Sequence, residues 1–279
     1  MGIKRILKDL FYNTLTLLKI CRYKTFLYCK NTKPKKIGEK IVILGNAPEA
    51  DLYFKNRDKF QDYDLLTVNF FPLDVERFKE YKPKVHCLVD PRFFEQSIYE
   101  SMEHAKERVP RLWSILNSID WDMYLVIEGN RSIPISNPKI HVIRISSPRY
   151  RNDSTRFQKW CFFNNLCTPM WHNVVTVGIQ FAEIFGYNNI ALFGVLLDWT
   201  KYYSVNEKNQ LILRQNYFYG SYGDILINDT YLRQLRSIVD TFWGFEECSK
   251  LAIEKGIAIT NYTLNSFLQC FSKKDIENE

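Results

Sequence analysis

Three polar residues stand directly behind apolar runs in the first half of the chain: Asn46 after IVILG, Asn69 after DLLTV and Asp90 after VHCLV. Each by itself reads as a turn former or a helix cap. Three in succession suit a ligand bound across neighbouring strand ends, since carboxamides donate and accept and a carboxylate accepts. Gly45 precedes Asn46 and frees the backbone to turn tightly toward a following helix N-terminus, where anions bind. The surrounding Gly45-Asn46-Ala47-Pro48 is neither a dinucleotide fingerprint nor a phosphate loop with its lysine. In the second half, Trp171-His172-Asn173 stands ahead of an apolar helical stretch, and His172 is the histidine placed for acid–base work, with a helix cap as its alternative role. Asn173 adds another amide there. Asp198 follows a further apolar run, with Tyr202 and Tyr203 just behind it. Tyr217, Tyr219 and Tyr222 offer hydroxyls to phosphates or pack internally, and Asp224 and Asp229 are further carboxylates able to deprotonate a hydroxyl. His86 and His141 fall within strand-like runs and His104 in a helical one, so packing accounts for them.

The elements that must position these groups alternate in kind. Short β-branched runs predict strands at 40–45, 64–69, 84–89, 122–127, 139–145, 189–193 and 256–260. Helices are expected at 49–58, 74–81, 93–104, 110–118, 173–186, 230–255 and 264–271. Strand–helix alternation implies an α/β class with a mostly parallel sheet and helices on both faces. Runs such as IVIL and IALF, apolar at consecutive positions, fit strands buried on both sides. Ligands of such sheets lie beyond the carboxyl ends of the strands, which is where Asn46, Asn69 and Asp90 fall. Two stretches, 146–172 and 199–229, are polar, aromatic-rich and weakly periodic. The second is expected to be a lid over the site.

The 279 residues suffice for one large domain, and 46% hydrophobic with 25% charged residues describes a globular chain. The net charge of +7 is lopsided, because residues 1–40 hold eleven Lys or Arg against Asp9 and Glu39 and the remainder is slightly acidic. Nucleic acid is disfavoured as a partner, since the basic charge is not spread over the folded body. The seven cysteines are odd in number and lack CxxC spacing, so reduced, buried thiols are expected. The Asp-x-Asp of Asp120 to Asp122 precedes a strand instead of following one, so no divalent metal is expected. Residues 3–29 carry an apolar stripe at helical period with Lys and Arg opposite it, and the longest uncharged stretch is too short to span a bilayer. Such a helix suits the anionic inner face of a cytoplasmic membrane. The alternative is packing on the protein's own body or on a second copy in a homo-oligomer. The expected organisation is an N-terminal arm and linker over 1–38, a catalytic domain over 39–272 with its lid at about 199–229, and a tail over 273–279.

Several of these segments, in this order, resemble the bacterial sialyltransferases of glycosyltransferase family 42. Ile43-Leu44-Gly45-Asn46-Ala47-Pro48 is similar to the opening turn of that family. Asn69-Phe70-Phe71 and Asp90-Pro91-Arg92-Phe93-Phe94-Glu95-Gln96 resemble its Asn-x-Phe and Asn-Pro-x-x-Phe-Phe-Glu-Gln segments. Phe185-Gly186-Tyr187-Asn188-Asn189-Ile190-Ala191-Leu192-Phe193-Gly194 and Asn265-Ser266-Phe267-Leu268 complete the likeness. The resemblance implies a single Rossmann-like, GT-A-variant domain with a mobile lid. It also implies a CMP-sugar donor and metal-independent, inverting transfer to a glycan or glycolipid acceptor. Gly45, Asn46, Asn69, Asp90 and Asn173 would contact the donor, and Tyr202, Tyr203 and Tyr219 its phosphate. Asp90 departs from the family's Asn. The family's lid histidine has no counterpart in 205–230, which leaves Asp198, Asp224 and His172 as the groups able to take the acceptor's proton. A pyrophosphoryl- or phosphoryl-group transferase and a catalytically inactive glycan-binding protein are the alternative readings.

Overall fold

The computed structural model describes residues 2–29, 35–217 and 220–278, and the side chains of 29, 215–217 and 220–225 are left out of the description. Five strands come first: β1 (Lys40–Leu44), β2 (Asp64–Val68), β3 (Val85–Leu88), β4 (Met123–Glu128) and β5 (Ile140–Ile145). The short β6 (Arg149–Tyr150) and β7 (Thr168–Pro169) follow, then β8 (Asn189–Phe193), the trio β9 (Tyr203–Val205), β10 (Leu211–Tyr217) and β11 (Gly220–Ile227), and finally β12 (Ala258–Asn261) and β13 (Ser272–Lys273). The helices are α1 (Ile3–Arg22), α2 (Thr25–Cys29), α3 (Asp51–Lys55), α4 (Val75–Tyr81), α5 (Gln96–Glu100), α6 (Arg108–Asn117), α7 (Arg156–Phe163), α8 (Val174–Ile184) and α9 (Tyr231–Lys255). Eight strands form one parallel sheet in the order β13-β12-β8-β1-β2-β3-β4-β5. The architecture is α/β, a single Rossmann-like domain.

Alternation along β1 shows why IVIL is apolar throughout. Ile41 and Ile43 belong to the core on the side of α8 and α9, while Val42 and Leu44 belong to the core on the side of α4 and α6. A parallel strand covered on both faces has no solvent side to mark with polar residues. Helix α8 is buried along its whole length and sits against β1, β2 and β3. It carries one cost. Glu183 is fully buried, its two carboxyl oxygens have no hydrogen-bond partner among the described residues, and burial raises its pKa well above the usual carboxylate value. The unfolded chain releases this proton near pH 4.5, whereas the folded chain keeps it to higher pH. Stability therefore falls as pH rises above that value, by at most about 1.4 kcal/mol per pH unit from this group. Glu183→Gln is expected to be more stable than the wild type near neutral pH, with the advantage shrinking as pH falls toward the ordinary glutamate range. Urea unfolding at the two ends of that range measures it.

Two stretches expected to be irregular contain regular elements. Residues 199–229 form a three-stranded antiparallel sheet, β11-β10-β9. Leu211 and Leu213 are buried while Arg214 is exposed, and Asn206 closes the β9–β10 turn by accepting from the amides of Lys208 and Gln210. Within 146–172, α7 begins at a capping box in which Thr155 accepts from the Gln158 amide and Gln158 accepts from the Thr155 amide. In the other direction, residues 264–271, expected as a helix, form turns that lead into β13. The expected helix 93–104 splits into a 3-10 turn at Pro91–Phe93 and α5.

The ends of the chain are attached to the body. Ile37 packs against the core, Ile276 is buried, and Lys59 donates to the Ile276 carbonyl at 2.6 Å. Helix α1 docks by its polar side. Thr155 donates to the Asn13 carboxamide at 2.6 Å, Gln158 donates to the Thr16 hydroxyl at 2.8 Å, and Ile20 enters a small core with Tyr150, Cys161 and Cys167. Its apolar stripe faces away from the body.

Candidate functional site

The strand order reverses beside β1: the chain first builds outward through β2 to β5, then returns to lay β8 on the other side of β1. A crevice must open where loops leave neighbouring strands in opposite directions, and ligands of open α/β sheets sit there. A cleft of about 530 Å³ occupies this position, within the range of sites for one small ligand. Its floor is Gly45-Asn46-Ala47 after β1 and Gly194-Val195-Leu196-Leu197 after β8. The two turns are in direct contact. The Gly45 amide donates to the Phe193 carbonyl and the Ala47 amide to the Gly194 carbonyl. No side chain fits at position 45, because a Cβ would lie inside the van der Waals radius of the Gly194 carbonyl oxygen. Gly194 itself is left-handed, with φ +66°. The segment Asn265-Ser266-Phe267-Leu268 straps this floor down. Ser266 donates its hydroxyl to the Val195 carbonyl, and the Phe267 amide donates to the Leu196 carbonyl at 2.8 Å. Leu197 is held at φ +57° and Asn69 at φ +54°, conformations that cost a residue with a side chain energy and persist where the surroundings enforce them.

Asn46 and Asn69 both line the cleft, and their carboxamides have no hydrogen-bond partner among the described residues. They are two polar heads available to a ligand. Asp90 also lines it, but its carboxylate accepts from the Arg92 amide at 2.9 Å and from the Arg92 guanidinium at 2.7 Å. It shapes its own turn and orients an arginine. Asn173 caps α8 by accepting from the Val175 amide at 2.7 Å, which aims the start of this 11-residue helix at the cleft. Free amides of a helix's first turn carry partial positive charge and attract anions.

His172 stands in the wall beside that helix start, half-exposed, with Nε2 3.6 Å from Oδ2 of Asp240 on α9. Asp240 also pairs with Arg151 at 2.6 Å. Burial in the wall, then the Arg149 guanidinium, holds the His172 pKa below the usual imidazole value. Asp240 pulls the other way and Arg151 adds a smaller depression. The ring is therefore neutral at neutral pH and able to accept a proton. Tyr203 lines the cleft and donates to Gln234 of α9 at 3.1 Å, tying the three-stranded sheet to that helix.

The remaining sequence-derived residues are not brought to this point. Asp198 is buried outside the cleft lining, accepting from the Tyr202 hydroxyl at 3.0 Å with Lys201 at 3.5 Å. Tyr202 is committed to the same contact, which raises its phenol pKa. Tyr219 and the side chain of Asp224 lie outside the described residues, as do the side chains of Tyr217 and Tyr222.

Sequence reasoning missed the charged rim. Glu128, at the end of β4, is buried and accepts from Arg149 at 2.6 Å, with Arg131 at 3.4 Å. Arg149 lies 3.7 Å over the Trp171 ring. Arg131 sits over Phe94 and pairs with Glu95 at 3.0 Å, so the Phe94-Glu95 pair serves to hold an arginine. With Arg92, three guanidinium groups face the cleft against two carboxylates. The strand-end rule that singled out Asn46, Asn69 and Asp90 also holds at β4, where Glu128-Gly129-Asn130-Arg131 follows the apolar run. Asp240 had no local signal, since it lies inside a long helix.

Comparison of the chain with protein-family models, with characterised proteins and with solved structures found no match.

Proposed function

We propose that this chain is a glycosyltransferase that moves an acidic sugar, sialic acid or a related 2-keto sugar, from a CMP-sugar to a bacterial surface glycan, with inversion and without a divalent metal. The observation that carries the proposal is the convergence, at the β1–β8 switch point, of two unspent carboxamides, a capped helix start, three arginines and a histidine. Asn46 and Asn69 offer the hydrogen bonds that read a nucleoside. The α8 start and Arg149 supply fixed positive charge where a phosphate leaving group develops its negative charge. Arg92 and Arg131 suit the carboxylate of an acidic sugar.

In the reaction, His172 takes the proton of an acceptor hydroxyl as its oxygen bonds to the anomeric carbon. The bond from that carbon to the phosphate oxygen breaks on the opposite face, and CMP departs with the electron pair. Asp240, 3.6 Å from Nε2, partly balances the charge of the imidazolium that forms.

Thermal shifts with CMP, UDP, GDP and ATP test the donor class. CMP is expected to raise the melting temperature, since a ligand at 100 times its Kd stabilises by about 2.7 kcal/mol. A shift with ATP and magnesium but not with CMP would favour phosphoryl transfer instead. CMP binding with neither transfer nor hydrolysis of CMP-sialic acid and related CMP-sugars would favour a binding protein. Asn46→Ala gives a finer test, because its carboxamide has no described partner. Folding stability is expected to stay within about 0.5 kcal/mol of the wild type, while the Kd for CMP rises roughly tenfold, or about 1.4 kcal/mol. Equilibrium unfolding and calorimetric titration separate the two quantities.

A further inference from the structure

A second open cleft, of about 590 Å³, lies on the other side of the Glu128–Arg131–Arg149 wall and shares all three residues with the first. Its other wall comes from the N-terminal helices: Lys19, Tyr23 and Tyr28 line it opposite Asn130. Lys19 reaches across and donates to the Arg149 carbonyl at 2.6 Å, and Tyr28 accepts from the Ser147 amide at 3.3 Å. One ammonium, two guanidinium groups, two phenols and a carboxamide, set against the single Glu128 carboxylate, make a lining suited to an anionic, hydroxyl-rich group. The first cleft has room for one small ligand, so a reaction between two substrates needs a neighbouring space, and this one adjoins it.

The helix that forms the mouth of this cleft is docked by its polar side. Its opposite side exposes Ile3, Leu7, Leu10, Phe11 and Leu18 at more than half of their surface, with Leu27 of α2 at 67%. A contiguous apolar face of this kind marks an interaction surface. Lys4, Lys8, Lys19 and Arg22 recur at helical spacing along one flank between the apolar and docked sides. Asp9, the one acidic residue of α1, is half-buried. Apolar face plus basic flank matches an anionic lipid surface, into which such a helix sinks its apolar side while Lys and Arg meet the head groups. No helix among the described residues is long and apolar enough to cross a membrane.

We infer that the second cleft receives the phosphate-bearing head of a lipid-borne acceptor, presented by an anionic membrane surface on which α1 rests. This rests on the glycosyl-transfer reading for its second substrate. Arg131 and Arg149, common to both clefts, would then hold donor and acceptor charges on either side of Glu128, and the acceptor sugar would extend past them toward His172.

The full chain tests this by flotation with phosphatidylcholine vesicles, with and without phosphatidylglycerol, and by titration with the soluble short-chain lipid dihexanoyl phosphatidic acid beside inorganic phosphate. Flotation with the anionic vesicles only, weakened by salt and lost in the L10E/L18E double variant at an unchanged melting temperature, is the expected result. Equal flotation with both vesicles, or none with either, would overturn the membrane assignment. A concentration-dependent dimer abolished by L10E/L18E would overturn it in favour of a second copy of the chain. Phosphatidic acid is expected to bind more tightly than inorganic phosphate, and Lys19→Ala to weaken it roughly tenfold, about 1.4 kcal/mol. An unchanged affinity in Lys19→Ala and in Tyr23→Ala, or equal binding of inorganic phosphate, would overturn the cleft assignment. CMP binding is read separately. Its failure with lipid binding intact strikes the donor reading alone, and the reverse pattern strikes the acceptor site alone.

Discussion

His172→Ala is expected to lower CMP release from the donor, in the presence of acceptor, by about 10²–10⁴-fold, the usual contribution of a positioned base. CMP binding should persist, because the proposed nucleotide contacts come from the strand ends and the α8 start. The pH profile carries more than the loss of rate. Burial and Arg149 depress the His172 pKa, and the active form is the neutral ring, so the rate should rise with pH and level off below the usual imidazole range. Removing the Asp240 charge takes away the one influence that raises this pKa. Asp240→Asn is thus expected to move the acid limb further down in pH while lowering the plateau. A purely structural role for Asp240 would lower the plateau without moving the limb. Near wild-type turnover in His172→Ala would reject the histidine as base and turn attention to Asp224.

Gly45→Ala is expected to damage both the fold and the site. The new methyl group would collide with the Gly194 carbonyl, a backbone atom held by the strap through Ser266 and by pairing of β1 with β8. Overpacking against backbone that cannot yield costs about 1–3 kcal/mol and sometimes more. For a chain of this size that is a fall of several degrees in melting temperature. The Kd for CMP should rise as well, since Asn46 is carried on the displaced turn. Gly2→Ala provides the contrast: nothing lies within 4 Å of a Cβ there, and it should leave both quantities unchanged. A Gly45→Ala protein as stable as Gly2→Ala would show that the β1 and β8 turns can separate freely.

Much of the scaffold was legible because parallel strands covered on both faces leave an unbroken apolar signature. The runs at 40–44, 64–68, 85–88, 123–128, 140–145 and 189–193 stand close to their expected limits. Elements that rely on a cap or a short alternation were harder to read. Helix α7 is announced by Thr155 and Gln158 alone, and β10 by Leu211 and Leu213. Residues 264–271 have helical composition, yet their hydrogen-bonding groups are spent on the turn after β8, which no local pattern records.

The amino-acid sequence by itself determined the α/β class, the strand ends that line the cleft, and the amphipathic character of the first helix. These follow from periodicity and turn chemistry, which act within a few residues of the chain. Only the tertiary structure decided which groups share a cleft. It brought His172 to Asp240 across 68 positions and Arg149 to Glu128 across 21, and it turned Asp198 away from the same space. It also decided which side of α1 is spent on the body, choosing Asn13 and Thr16 because they meet Thr155 and Gln158, and leaving the apolar side outward. Charge pairing and face selection depend on distances between segments, and those distances exist only once the sheet has brought the strand ends into register.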